Sequence, residues 1–275
     1  MKIGIFAKTF GVTGAEPVLQ AVRDAGYEVA QFNFACLGLP AMPDNLALQV
    51  ITGIADASSA SGVDIAAISG TYNMIHPNQE VRDLGLRRLE QIITAARPMG
   101  TGLVTLCTGT RDAHDQWHGH PDNGSREAWR DLTAGMARAL AVADQHGVDL
   151  GVEPELANVV SSAALARQLV TEMQSARLKI VLDPANLFET GPSEAIIERS
   201  VDLLADRIVM AHAKDRRPDG SFCAAGTGVV DFHRFVRALK RAGFDGPLVT
   251  HGLAEAEAPA TARFLRSVVA EAVAP

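Results

Sequence analysis

Short apolar runs alternate with longer amphipathic stretches along the whole chain. The runs cover residues 3–6, 29–34, 65–69, 103–107, 150–152, 180–182, 208–211 and 248–250. Short, nearly continuous apolar runs are typical of parallel strands that are covered on both faces. The stretches between them have helical periodicity, as in 129–143, where Leu132, Met136 and Leu140 fall on one stripe. The pattern therefore predicts eight successive strand–helix units.

Eight such units in 275 residues favour an α/β protein built as a closed (β/α)8 barrel, the TIM barrel, in a single domain over 1–275. The competing architecture is an open, doubly wound sheet, which ordinarily has a phosphate-binding glycine loop after its first strand. The first turn here reads KTFGVTGAEP and contains neither GxGxxG nor GxxxxGK[ST]. We therefore predict the closed barrel.

Composition narrows the range of functions. The formal charge of −7 argues against a protein that binds the nucleic-acid backbone, because such proteins usually present a basic face. Neither a membrane span nor the apolar core of a signal peptide is recognisable. Cys36, Cys107 and Cys223 lie far apart without a CxxC motif, which disfavours disulfides and thiolate zinc sites. We expect a cytoplasmic protein with a small-molecule substrate and no nucleic-acid or membrane partner. The sequence leaves open whether the protein forms a homo-oligomer.

Polar side chains follow the last four apolar runs, and the carboxyl ends of barrel strands are where such enzymes place their active sites. In chain order they are Glu153, Glu155, Asp183, Asn186, His212, Lys214 and His251. A single carboxylate after a strand is more often a helix cap or an ion-pair partner, but four adjacent strand ends favour a site. Two carboxylates and two imidazoles suit a divalent ion of intermediate softness. The predicted metal ligands are Glu153, Asp183, His212 and His251, with Mn, Co, Zn, Fe or Mg as the ion.

Five segments resemble the xylose-isomerase-like TIM-barrel family of sugar and sugar-phosphate isomerases and epimerases. They are GVEPE, VLDPANLF, HAKD, SGTYNMIHP (69–77) and TLCTGTRD (105–112). The resemblance covers nearly the whole chain, and its motifs are specific to the superfamily but not to one substrate. It implies a divalent metal on Glu153, Asp183 and His212. The chain departs from the family at His251, where relatives have glutamate, and at Asn186, where relatives often have histidine.

The resemblance also implies an activity. It is the transfer of a proton on carbon next to the carbonyl of a keto or aldo sugar, a sugar phosphate or a related polyol, through a metal-stabilised enediolate. On this interpretation Glu153 and His251 are the catalytic pair. Histidine suits acid–base work because its ordinary pKa is about 6.5, and neutral imidazole is also a good metal ligand. A lyase or dehydratase that uses the same ion, and a sugar-binding barrel without catalysis, remain alternatives.

Several side chains near the predicted site are candidates for binding the substrate. They are His76, Arg111, Glu155, Asn186, Lys214 and Arg217. Arginine matches a phosphate group with two parallel hydrogen bonds, although a solvated surface position is the commoner explanation for any one arginine. The insert around Trp117 is interpreted either as a lid that stacks on a sugar or as an oligomer contact.

Overall fold

The computed structural model describes residues 1–187 and 194–272. The strands are β1 (Ile3–Phe6), β2 (Val29–Phe32), β3 (Asp64–Ser69), β4 (Leu103–Leu106), β5 (Asp149–Val152), β6 (Leu178–Leu182), β7 (Ile208–Arg216), β8 (Phe222–Ala224) and β9 (Leu248–Thr250). The α-helices are α1 (Ala15–Asp24), α2 (Leu48–Ser61), α3 (Gln79–Ala96), α4 (Arg126–His146), α5 (Ala163–Met173), α6 (Glu194–Leu204), α7 (Phe232–Arg241) and α8 (Ala258–Glu271). Within these ranges, no helix combines the length and the apolar character that crossing a bilayer requires.

Parallel pairing closes eight of the strands into a barrel. The order of hydrogen-bonded strands around the barrel is β1, β2, β3, β4, β5, β6, β7, β9 and back to β1. Ile5 on β1 aligns with Ala30 on β2 at one side and with Thr250 on β9 at the other, so the first and last strands complete the circle. The described residues thus form a closed (β/α)8 barrel, which confirms the predicted fold.

Side-chain alternation along the strands stacks two layers inside the barrel. Ala67, Leu103, Val181, Met210 and Val249 form a separate apolar cluster, apart from the main core between strands and helices. Two residues further along the same strands, side chains return to the same face. Residues 183, 212 and 251 therefore lie one layer above this apolar cluster. The layer of polar side chains has a packed apolar layer beneath it.

The seventh strand differs from its prediction, which ended it at residue 211. β7 continues to Arg216 and pairs in antiparallel fashion with β8, a short strand outside the barrel circle. The added part of β7 contains polar residues, and Lys214 and Asp215 among them are buried in the hairpin with β8. The carboxylate of Asp215 is fully buried and accepts hydrogen bonds from four backbone amides, those of residues 216, 226, 228 and 230, at 2.8–3.0 Å. Asp215 thereby fixes the loop that follows β8.

Gly85 in α3 is a contact point where a larger residue does not fit. A Cβ atom at this position would lie 2.1 Å from Cδ2 of Tyr72. We expect Gly85→Ala to lower the free energy of unfolding by about 1–3 kcal/mol, because overpacking forces neighbouring groups to move. Gly135 in α4 has open space at the same atom, so Gly135→Ala should raise it by about 0.5–1 kcal/mol. Urea unfolding monitored by circular dichroism measures both, and equal effects would refute the steric explanation.

Candidate metal centre and cavity

Four side chains from four neighbouring barrel strands meet above the apolar layer. One ligand atom from each of Glu153, Asp183, His212 and His251 lies within 4.8 Å of the others. Glu153, Asp183 and His251 each follow the last residue of a strand, and His212 lies within β7. The structure therefore brings together the four residues that the sequence predicted as metal ligands. We call this group the four-ligand cluster.

The ring of His212 is oriented by a residue on β2. Its Nε2 lies 2.8 Å from Oε1 of Gln31, and an amide oxygen only accepts, so Nε2 carries the proton. Its Nδ1 is buried and has no hydrogen-bond partner among the described residues. This atom lies 3.2 Å from Oε1 of Glu153 and 4.0 Å from Oδ2 of Asp183. Divalent metal ions bind imidazole nitrogens and carboxylate oxygens, and these three atoms converge in a buried site, so the donor set fits a metal ion.

Asp183 is the most heavily bonded member of the cluster. Its Oδ1 accepts from the amide of Ala185 at 2.9 Å, which turns Oδ2 toward the other ligands. Oδ2 lies 3.1 Å from His251 Nε2 and 3.3 Å from the ammonium nitrogen of Lys214. Burial alone would raise the pKa of Asp183, but Lys214 and His251 outweigh burial and hold this pKa well below its usual value. Asp183 is therefore a carboxylate at neutral pH.

Asn186 and Lys214 join the two carboxylates of the cluster. The amide nitrogen of Asn186 donates to Oε1 of Glu153 at 2.9 Å, and its oxygen accepts from Lys214 Nζ at 2.9 Å. Burial lowers the pKa of Lys214, but Asp183 and Glu153 outweigh it and raise this pKa above its usual value. Lys214 is thus a buried ammonium group that balances part of the negative charge. Both residues were predicted to bind substrate, and the structure shows them bonded to the predicted metal ligands.

The remaining members of the cluster also have shifted pKa values. Burial raises the pKa of Glu153, but His212 outweighs it and brings this pKa below its usual value. Burial and the neighbouring His212 lower the pKa of His251. The ring centroids of the two histidines are 4.5 Å apart. His251 is therefore a neutral imidazole near pH 7, the form in which histidine binds metals.

A cavity of about 400 Å³ opens above the four-ligand cluster, a size within the usual range for small-molecule sites. Its walls combine aromatic rings with polar groups. Among the lining residues are Phe6, Lys8, Ser69, Gln116, Trp117, Glu155, Lys214 and Phe222. Trp117 is 53% exposed, and the Lys214 ammonium lies 3.9 Å from the centroid of the Phe222 ring. The predicted candidates Glu155 and Lys214 thus lie at the cavity.

Three other predicted substrate-binding residues lie elsewhere. Arg111 bonds to Asp131 at 2.8 Å and to the carbonyl of Ile75 at 2.9 Å. Arg217 donates to the carbonyl of Phe222 at 3.0 Å. His76 places Nε2 3.1 Å from the carbonyl oxygen of Ala113, in a neighbouring surface pocket. None of these three lines the cavity above the four-ligand cluster.

Gln31 and Phe222 are among the residues of the site that were not predicted from the sequence. Gln31 stands in an otherwise apolar strand, and that isolated polar side chain was the signal that could have identified it. Phe222 reaches the cavity only because β8 folds back onto β7. Nothing in the sequence around Phe222 marks this return.

Comparison with known proteins identifies the family. The model of the xylose isomerase-like TIM barrel family matches residues 19–268, and the chain belongs to this family. One similar curated protein is the L-ribulose-5-phosphate 3-epimerase UlaE of Shigella flexneri serotype 5b (strain 8401). It is 25% identical over 192 residues, which cover 69% of this chain. The match spans 63% of the length of that relative.

Solved structures share the fold across nearly the whole chain. One described as L-ribulose 3-epimerase has a TM-score of 0.78 at 19% identity, with 98% of this chain and 95% of that chain covered. The IOLI protein, described with a binding zinc atom, has a TM-score of 0.77 at 15% identity, with both chains fully covered. Identities at this level show a shared barrel architecture.

Proposed function

We propose that this chain is a divalent-metal-dependent epimerase or isomerase of a ketose. The observation that carries the proposal is the four-ligand cluster, in which the buried Nδ1 of His212 faces oxygens of Glu153 and Asp183. The names of the Shigella relative and of the solved L-ribulose 3-epimerase support this reaction class. The solved zinc-bound member of the fold supports the choice of a divalent ion.

Glu153, Asp183, His212 and His251 would hold the metal. A bound divalent ion acts as a Lewis acid that stabilises the negative charge formed when a proton leaves the carbon beside a carbonyl. The buried ammonium of Lys214 leaves the two ligand carboxylates with a net charge of about −1, so a divalent ion is not fully neutralised by its ligands. The site can therefore accommodate an anionic reaction intermediate.

We assign proton transfer to two members of the four-ligand cluster, Glu153 and His251. Oε1 of Glu153 faces His212, while Oε2 has a weak partner, the thiol of Cys107 at 4.0 Å. Glu153 can thus bind through one oxygen and take a proton with the other. His251 follows β9, which is separated from β5 by β6 and β7 around the barrel. A ketose bound above the cluster would give its proton to the free oxygen of Glu153 and would receive one from the ring nitrogen of His251 that does not bind the ion, as epimerisation requires.

Substrate hydroxyls would meet polar groups of the cavity wall. Glu155 lines this wall, and its Oε2 accepts from Ala157 N at 3.0 Å and from Asn158 Nδ2 at 3.1 Å. These two bonds hold the side chain in place through one oxygen and leave Oε1 for another donor. Glu155 is therefore available as an acceptor for a hydroxyl of the sugar.

Elemental analysis of the purified protein, combined with incubation with ketoses in D₂O, tests the proposal. We expect close to one divalent ion per chain and deuterium at the carbon beside the carbonyl in a product of otherwise unchanged composition. Loss of water from the substrate would instead establish a dehydratase. Sugar binding without deuterium incorporation would establish a non-catalytic barrel, and either result overturns the proposed function.

His251→Ala separates metal binding from proton transfer. As His251 is one of four proposed ligands, we expect metal affinity to fall by more than about 100-fold, because loss of a group that only orients a ligand already costs about 10–100-fold. With saturating metal, we expect turnover still reduced by about 10²–10⁴-fold, the usual contribution of a general acid or base. Chelator competition and steady-state rates measure the two effects. Full turnover at saturating metal would show that His251 is a ligand alone.

Gln31 should control metal affinity without touching the metal. It accepts from His212 Nε2 and donates to Oγ1 of Thr105 at 3.0 Å. Gln31 therefore fixes the ring of His212 through Nε2, while Nδ1 faces the other members of the cluster. We expect Gln31→Leu to weaken metal binding by about 10–100-fold, because groups that orient a ligand have effects of this size. Gln31→Glu keeps an acceptor for Nε2 and should retain more affinity. Equal affinities of both variants, measured by chelator competition, would refute the positioning role.

A further inference from the structure

We infer that the cavity takes an unphosphorylated ketose, a small neutral polyhydroxy ketone, in preference to the phosphate ester of the same sugar. This inference rests on the proposed function and names the substrate class of that site. The names of similar proteins point both ways, since the Shigella relative is named for a sugar phosphate and the solved barrel for the free sugar. The charges of the cavity decide between the two.

Carboxylates offset the positive charge around the cavity. Glu153 and Glu155 line it, and the fully buried Asp183 lies in the four-ligand cluster below. The ammonium group of Lys214 lies among them, but it is bound to Asp183 and Asn186. It compensates carboxylates that are already there. With a divalent ion bound, the charges of the ion, Lys214, the two ligand carboxylates and Glu155 sum to about zero, so the cavity offers no surplus positive charge to a phosphate group.

Phosphate recognition usually relies on arginine, whose planar group donates two parallel hydrogen bonds. Among the described residues that line the cavity there is no arginine. Arg111 and Arg217 donate to protein acceptors instead, and Arg216 lies 5.9 Å from the Phe222 ring centroid. Segments 188–193 and 273–275, which lie outside the described residues, contain no lysine or arginine in their sequence.

Among the described residues that line the cavity, Lys8 is the cation that remains for a phosphate. It lines the cavity, its side chain is exposed, and its ammonium lies 5.8 Å from the centroid of the Phe6 ring. A single exposed lysine is a strongly hydrated point charge on a flexible chain, so it adds little affinity for a phosphate. Lys8 therefore does not supply the two parallel hydrogen bonds that an arginine would give to a phosphate.

The cavity wall offers the groups that a free sugar uses. The rings of Phe6, Trp117 and Phe222 provide apolar surface for the C–H faces of a sugar. Ser69 and Gln116 add neutral polar groups that can both donate to and accept from hydroxyls. An apolar lining with a few placed polar groups is the usual composition of a site for a small neutral ligand.

A matched pair of ligands tests the inference. Purified protein, supplied with the ion that elemental analysis finds, is assayed with L-ribulose and with L-ribulose 5-phosphate, and both are also titrated calorimetrically. The same comparison with D-psicose and its 6-phosphate guards against a sugar-specific result. We expect kcat/KM and affinity for the free sugar to exceed those for the ester by about 100-fold, because the phosphate group would lose its hydration in a cavity whose lining offers it no arginine. In Lys8→Ala this ratio should stay within about threefold of its original value.

A preference for the phosphate ester, or a Lys8→Ala variant that loses affinity for the ester alone, would overturn the inference. The binding measurement keeps this failure separate from failure of the proposed function. If the free sugar binds more tightly but neither ligand is converted, the substrate class stands and the epimerase proposal fails. If neither ligand binds, the inference fails as well.

Discussion

Glu153→Gln is expected to abolish both metal retention and turnover. The substitution removes one of two ligand carboxylates and leaves an amide against Asn186, which donates to Oε1 of Glu153 in the intact protein. The variant should be purified with little divalent ion. Its turnover at saturating metal should fall by about 10³-fold or more, because the substitution also removes the proposed base. Elemental analysis and steady-state rates on the same preparations measure the two losses.

Glu155→Gln is the matched control for this experiment. Glu155 lies two residues further along the chain and lines the same cavity, but it is not part of the four-ligand cluster. Its metal content should equal that of the unsubstituted protein, whatever happens to its rate. Equal metal contents in the Glu153 and Glu155 variants would contradict the proposed ligand set.

Asp215→Ala should cause a large loss of stability. The change removes the acceptor of four backbone amides and leaves at least the buried amide of Val230 without its partner. Each unsatisfied buried group costs about 1–3 kcal/mol, so we expect the free energy of unfolding to fall by about 2–4 kcal/mol in total. Urea unfolding monitored by circular dichroism gives this difference directly.

Asp219 supplies a control on the same hairpin. It is exposed and accepts hydrogen bonds from the amide and hydroxyl of Ser221, at 2.9 and 2.7 Å. Asp219→Ala should change the free energy of unfolding by no more than about 0.5 kcal/mol, as is usual for exposed positions. If both variants lose the same stability, the four amide contacts of Asp215 do not explain its effect.

The hairpin of β7 and β8 contributes both to the stability of the fold and to the wall of the cavity. Asp215 is adjacent to Lys214 and fixes the loop after β8, the strand that carries Phe222. Even where Asp215→Ala is folded, Phe222 should lose its fixed place over Lys214. Weaker sugar binding at unchanged metal content would accompany this loss.

The sequence predicted the barrel and the meeting of four ligands for one geometric reason. Strands in a closed parallel barrel end at the same face, so a polar residue that follows each apolar run lies near those of its neighbours. Glu153, Asp183 and His251 all follow this rule. The rule needs only strand ends, which the apolar runs mark clearly.

The contacts of the other candidates depend on partners that are distant in sequence. Arg111 bonds to Asp131 in α4, and the pairing of two such charges leaves no pattern in the chain. Asn186 and Lys214 bond to the ligand carboxylates because both are buried beside them. Residue type alone indicated polar contacts at these positions but not with which group. Gln31 belongs to a strand that the prediction treated as apolar throughout.

Closure of the barrel by β1 and β9 sets the order in which the site is completed during synthesis. Glu153, Asp183 and His212 emerge from the ribosome before His251, and His251 follows the strand that seals the circle against β1. The proposed ligand set is therefore complete only after β9 has joined the barrel. On the proposed function, binding of the ion by all four side chains would therefore be coupled to this long-range pairing.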